Sequence, residues 1–90
     1  MSAKAKEQEI GYVSTYFRKI NVAGIEITKG SLEVGDTIHI KGHTSDFTET
    51  VKSMQIEHDS VEKVKKGNSI GLKVSDVVRR HDKVYKVTQA

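Results

Sequence analysis

The stretch Gly30-Ser31-Leu32-Glu33-Val34-Gly35-Asp36-Thr37-Ile38-His39-Ile40-Lys41-Gly42 limits the fold more than any other part of this chain. It has a turn signal at each end and a strict alternation between them. Ile38 and Ile40 lie on one face, and Thr37, His39 and Lys41 on the other. A period of two is incompatible with helix and describes a strand with one buried side. The chain contains no proline, so its turns must rest on Gly30, Gly35, Gly42 and Gly67, helped by Asn and Asp.

The same pattern recurs along the sequence. Ile10 to Phe17 and Ile20 to Thr28 are rich in β-branched and aromatic residues and are separated by the polar break Arg18-Lys19. They read as two strands, the second with Ala23, Ile25 and Ile27 inward and Gly24 at a bend or a close approach. Asp46 to His58 is long for one strand, and its apolar parity slips between Phe47 and Val51 on one side and Met54 and Ile56 on the other. Two readings remain open there, a β-bulge near Lys52-Ser53 or a passage of the chain from one sheet to another. Asp59 or Ser60 offers a cap for one helical turn, an open crossover being the other reading, with Val61 and Val64 as a lid on the barrel end. Ile70, Leu72 and Val74 alternate as a further strand, and Lys83 to Thr88 forms a closing one. Met1 to Glu9 carries no large apolar residue after Met1 and reads as a flexible tail, leaving residues 10 to 90 as a single domain.

Ninety residues bury roughly 60 to 65% of the unfolded chain's surface, which sustains one core. Only 36% of residues are hydrophobic and 30% are charged, so the exterior is heavily solvated. The expected fold is all-β, about six strands closed into a small antiparallel Greek-key barrel, because closure removes exposed edges. No apolar run approaches the length of about 18 residues that a membrane span requires, and no secretory leader is visible. With zero cysteines, the expectation is a cytoplasmic location without membrane contact.

Residues able to carry chemistry are sparse. Gly30-x4-Gly35-Asp36-Thr37 has the spacing of a phosphate loop, but Asp36 stands where the phosphate-binding lysine belongs, and a strand follows rather than a helix. Nucleotide binding is not expected. His39, His43, His58 and His81 have no metal-ligand spacing, and none of Ser14, Ser53, Ser60, Ser69 and Ser75 lies in a nucleophile elbow. The expectation is therefore a chain that is not an enzyme and holds no cofactor or metal.

Charge is more informative. From Lys63 to Lys86 there are eight basic residues (Lys63, Lys65, Lys66, Lys73, Arg79, Arg80, Lys83 and Lys86) against the acidic Asp76 and Asp82, a net +6. The remainder has seven basic and ten acidic residues, a net −3. This asymmetry points to one electropositive surface that could follow a phosphate backbone.

The glycine-bounded hairpin, with Phe47, Val51, Ser53-Met54-Gln55 and Lys66-Gly67-Asn68-Ser69-Ile70-Gly71-Leu72-Lys73-Val74, resembles domain II of the translational GTPases such as elongation factor Tu. That resemblance implies a stand-alone β-barrel without the GTPase part, and a module binding structured RNA, transfer or ribosomal, through the eight basic residues. The residue aligned with the family's pocket methionine is Met54, but its flanks are Ser53 and Gln55, without the family's acidic and aromatic neighbours. The ending His81-Asp82-Lys83 before Val84-Tyr85 is similar instead to the C-terminal accessory barrel of U32 peptidase-like proteins. The alternative function is therefore a protein-interaction module that docks on a separately encoded enzyme.

Overall fold

A computed structural model describes residues 5–89, with the side chains of residues 5 and 89 set aside. Ten strands follow one another along the chain. The first half holds β1 (Ala5–Phe17), β2 (Val22–Ile27), β3 (Ser31–Glu33), β4 (Thr37–Lys41) and β5 (Asp46–Thr50). The second holds β6 (Met54–Ile56), β7 (Asp59–Val61), β8 (Lys63–Lys65), β9 (Ser69–Lys73) and β10 (Lys83–Gln89). Among the described residues there is no helix, and hence none long and apolar enough to cross a membrane.

Eight strands form one antiparallel sheet in the order β5-β4-β10-β1-β2-β9-β6-β7, and β3 pairs with β8 in a separate ribbon. The all-β expectation holds, but the closed barrel does not. Among the described residues no sheet closes on itself. β5 and β6 lie near opposite ends of the strand order yet are joined by only residues 51–53, a link that spans at most about 14 Å. The sheet must therefore curl until its ends are near one another. No closing ladder is formed between its edge strands, and the backbone of Val51 prolongs the β4–β5 pairing: its N–H donates to Asp36 O at 2.8 Å and its carbonyl accepts from Gly35 N–H at 2.9 Å.

This connection also resolves the parity slip. The chain leaves β5, runs through residues 51–53 outside any strand and resumes as β6 of the same sheet with Met54 buried, so a break between two strands, neither a bulge nor a passage to another sheet, exchanges the faces. The expected helical turn after His58 is instead a tight hairpin, in which Glu57 (φ 49°) and His58 (φ 72°) both adopt the left-handed conformation. Expecting about six strands undercounts because the long segment splits in two and three-residue strands such as β3, β7 and β8 carry too little alternation to register.

β1 departs from expectation at its start. Residues 5–9, expected in the tail, pair with β10 from Ala5↔Gln89 to Glu9↔Tyr85; the rest of that tail lies outside the described residues. A ladder on a central strand needs only backbone groups, which is why an apolar-poor segment can be ordered. Two register shifts, at Ile10 against β10 and at Ser14 against β2, let this 13-residue strand coil.

The core lies inside the curl. Ala23, Ile25 and Ile27 alternate inward on β2, Ile38 and Ile40 on β4, and Ile70 and Leu72 on β9, as their spacing predicts. The pair Leu32 and Val64 brings the β3–β8 ribbon onto the same core.

Candidate binding surfaces

The eight basic residues are distributed over several elements. Lys63 and Lys65 lie on β8 and Lys66 just after it, in the ribbon; Lys73 ends β9; Arg79 and Arg80 occupy the loop before β10. Lys83 and Lys86 are both on β10, but three residues apart, so strand alternation sends them to opposite faces. Lys83 Nζ pairs with Glu9 at 3.5 Å, and Lys86 Nζ pairs with Asp36 at 3.4 Å and reaches the carbonyl of Ser31. The segment that carries them is thus divided among two sheets and a loop, and Lys86 meets the β3–β8 ribbon at Ser31, the partner of Lys65. The phosphate-loop spacing is likewise structural: it forms β3 and the turn into β4, where Asp36 Oδ2 accepts from Glu33 N–H at 2.9 Å.

Two sites of concentrated polar structure emerge that the sequence reading missed. The first is the turn into β10. Asp82 is 4% exposed; its Oδ2 accepts from Arg79 N–H at 2.9 Å, and its carboxylate fills the space where Gly42 lacks a side chain. Its backbone joins β1, since Val13 N–H donates to Asp82 O at 2.8 Å and His81 N–H to Val13 O at 2.8 Å. His81 sits at φ 76° to make this turn.

The second is His39, on the outer face of β4. Its Nδ1 lies 2.8 Å from Glu7 Oε2 and its Nε2 2.5 Å from Asp46 Oδ1, with the Tyr85 ring alongside. Carboxylates accept but do not donate, so the ring serves both only when both nitrogens carry protons. The bond to Asp46 holds the imidazole above its ordinary pKa of 6.5; burial opposes this, and Glu7 adds to it. His39 in turn holds the Asp46 carboxyl below its ordinary 3.8. A raised histidine pKa stabilises the fold fully below 6.5, and that stabilisation is lost as pH rises through the raised value. The lowered Asp46 pKa contributes stability above 3.8 and loses it as pH falls through the lowered value. Relative to a His39→Asn variant, the protein should therefore lose thermal stability between about pH 6 and 8. Thermal melts across that range check this; a constant gap between the two proteins would show that the charged clamp does not form. His43, His58 and His81 stand apart from it, and among the described residues no group of three or more His, Cys, Asp or Glu converges as a metal site.

A groove of about 440 Å3 lies on the outer face of β1, β2, β9 and β6. Its floor follows from register. Gly24 pairs with Gly71, Thr15 lies beyond Gly24, and Gln55 lies beyond Gly71. Two facing strands thus contribute no side chain at one row, bordered by Thr15 over Gly24, which leaves a trough across the strands. On one side stand Phe17, Ile20 and Val22, with Phe17 52% and Ile20 60% exposed. On the other stand Glu26 and Ser69, paired across β2 and β9, with Glu57 and His58 at the β6–β7 turn. Gly24 was legible as a special position; its partner across the ladder was not.

Comparison with known proteins places this fold. No family model matches the chain. The C-terminal domain of a Geobacillus thermoleovorans protein assigned to the U32 peptidases superposes with a TM-score of 0.81, covering 88% of this chain and 91% of that domain at 16% identity. The chain has the fold of that peptidase domain. The selenomethionine form of the same domain gives 0.80. In sequence, the chain is 45% identical over 93% of its length to a Methanocaldococcus jannaschii protein named as an uncharacterized protease. It is 37% identical over 86% of its length to a Porphyromonas gingivalis collagenase. The chain spans about a fifth of the length of these relatives, 21% and 22%.

These matches correct several expectations. They carry the resemblance read from His81-Asp82-Lys83 and do not carry the one to the translational GTPases. The reading as an elongation-factor-like, RNA-binding chain is overturned by peptidase relatives in both sequence and structure. The expectation that the chain is not an enzyme is overturned by the same names, a protease and a collagenase. The misreading has a physical cause. The hairpin and glycine pattern specify strands and turns, and a shared pattern of strands says nothing of what the surface binds.

Proposed function

We propose that this chain acts as the β-sheet accessory domain of a peptidase of the U32 type and contributes to polypeptide hydrolysis through protein contacts. One observation carries the reading: 45% identity extends over 93% of this chain, yet over only 21% of a protein named as a protease. Identity confined to one fifth of the relative fits a module that works beside the rest of such a protein. The exposed apolar side chains around the Gly24–Gly71 trough supply a surface suited to protein contact.

The collagenase from Porphyromonas gingivalis offers a direct test. Deleting the 78 residues matched by this chain should lower its hydrolysis of collagen by about tenfold or more, the effect of losing one step of about 1.4 kcal/mol in productive contact. Inserting this chain in their place should restore much of the rate. A deletion variant that folds and retains full activity would refute the role, as would a folded chimera no better than the deletion.

A further inference from the structure

Two of the features that line the groove differ in chemistry. One wall is apolar, built from Phe17, Ile20 and Val22. The opposite side carries the carboxylates of Glu26 and Glu57, and neither forms an ion pair among the described residues. The chain as a whole is basic, with 15 Lys and Arg against 12 Asp and Glu, yet no Lys or Arg lines the groove. Arg18 and Lys19, in the adjoining turn, are not part of its lining. A negative trough on a positive protein selects a positive occupant.

The shape narrows the occupant further. Gly24 and Gly71 put no side chain of their own on the floor, which Thr15 borders at Gly24 and Val22 at Gly71, so a polypeptide backbone can lie across the strands between them. An extended backbone sends successive side chains to opposite sides. Laid along this trough, it would place one set against Phe17 and Ile20 and the alternate set beside Glu26 and Glu57. We propose that the groove binds an extended segment of the peptidase's polypeptide substrate, in which apolar residues alternate with lysine or arginine. This rests on the accessory-domain reading and adds to it the sequence class that the domain selects.

The probe is a capped seven-residue peptide alternating leucine with lysine, titrated into the isotope-labelled full chain and followed by backbone amide shifts. Two control peptides carry glutamate in place of lysine, or serine in place of leucine. Saturable shifts should centre on Gly24, Gly71 and Gln55, with each control at least about tenfold weaker. The charge control is discriminating, because non-specific attraction to a chain of net charge +3 would favour the glutamate peptide. Glu26→Lys should weaken the lysine peptide roughly tenfold. Gly71→Val, which raises the floor, should abolish saturation. Gly71 does not have a positive φ, so a β-branched residue suits the strand, and unchanged amides of the inner core confirm that the variant is folded.

Equal binding of the glutamate peptide, shifts centred outside the groove, or binding unchanged in folded Gly71→Val would overturn the proposal. So would no saturation at about 1 mM, a free energy near −4 kcal/mol. Concentration-dependent shifts at Gly24 and Gly71 without peptide would assign the groove to a second copy of the chain and also overturn it. The collagenase chimera reads separately: an active chimera with no peptide binding removes this inference and leaves the domain role intact, while binding without chimera activity does the reverse.

Discussion

Gly42→Ala should destabilise the protein by about 3 kcal/mol, at the upper end of the cost of overpacking. A methyl group there would occupy the position of the Asp82 carboxylate, whose Oδ2 is already fixed by Arg79 N–H. The carboxylate cannot swing away without abandoning that bond and opening the turn that joins β1 to β10. For a domain of this size the melting temperature should fall by roughly 12 to 24 °C. The cause is separable from any general intolerance of the loop. In an Asp82→Ala background the overlap is gone, so the same glycine substitution should cost less than about 1 kcal/mol. The resulting coupling of about 2 kcal/mol is large for a single pair. Denaturant titration of the four proteins measures it, and additive effects would show that the two residues do not share this space.

Leu72→Ala should cost about 3 kcal/mol by a different route. Leu72 is fully buried, lies between Ala23 of β2 and Met54 of β6 in the ladders, and belongs to the single core cluster. Truncation removes favourable burial and leaves a cavity that the curled sheet, pinned by ladders on both sides, can only partly collapse. Val77→Ala supplies the contrast: that side chain is 52% exposed, and its truncation should change stability by less than about 0.5 kcal/mol. Chemical denaturation of both variants tests the pair. A loss under about 1 kcal/mol for Leu72→Ala would mean the core is not packed around β9 as described.

Both predictions bear on what could be read from the chain alone. Leu72 was legible as core, because Ile70, Leu72 and Val74 alternate and all three are buried. The same holds for Ile38 and Ile40, and for Ala23, Ile25 and Ile27. Gly42 was legible only as a turn residue; that its missing Cβ makes room for a carboxylate forty residues away was not. The U32 resemblance at His81-Asp82-Lys83 located that carboxylate without disclosing what it does. The basic cluster between Lys63 and Lys86 was conspicuous in sequence and is carried by two sheets and a loop in the fold. The groove was the converse: Phe17, Ile20 and Gly24 meet Glu57 and Gly71 from two distant parts of the chain, and of these only Gly24 stood out by itself.

The sequence by itself determined that this protein is made of strands, where most of the longer strands run, and which of their faces are buried. Those properties depend on alternation between neighbouring residues, and the energetics of a pleated backbone are local. Tertiary structure alone decided that the sheet stays open, that β10 is central, that His39 lies between Glu7 and Asp46, and that two glycines meet to form a trough. Each of these depends on which backbone groups pair across long separations. Val51 shows the reason most directly: its backbone pairs with Gly35 and Asp36 across the β4–β5 hairpin, and no neighbour in the sequence announces that choice.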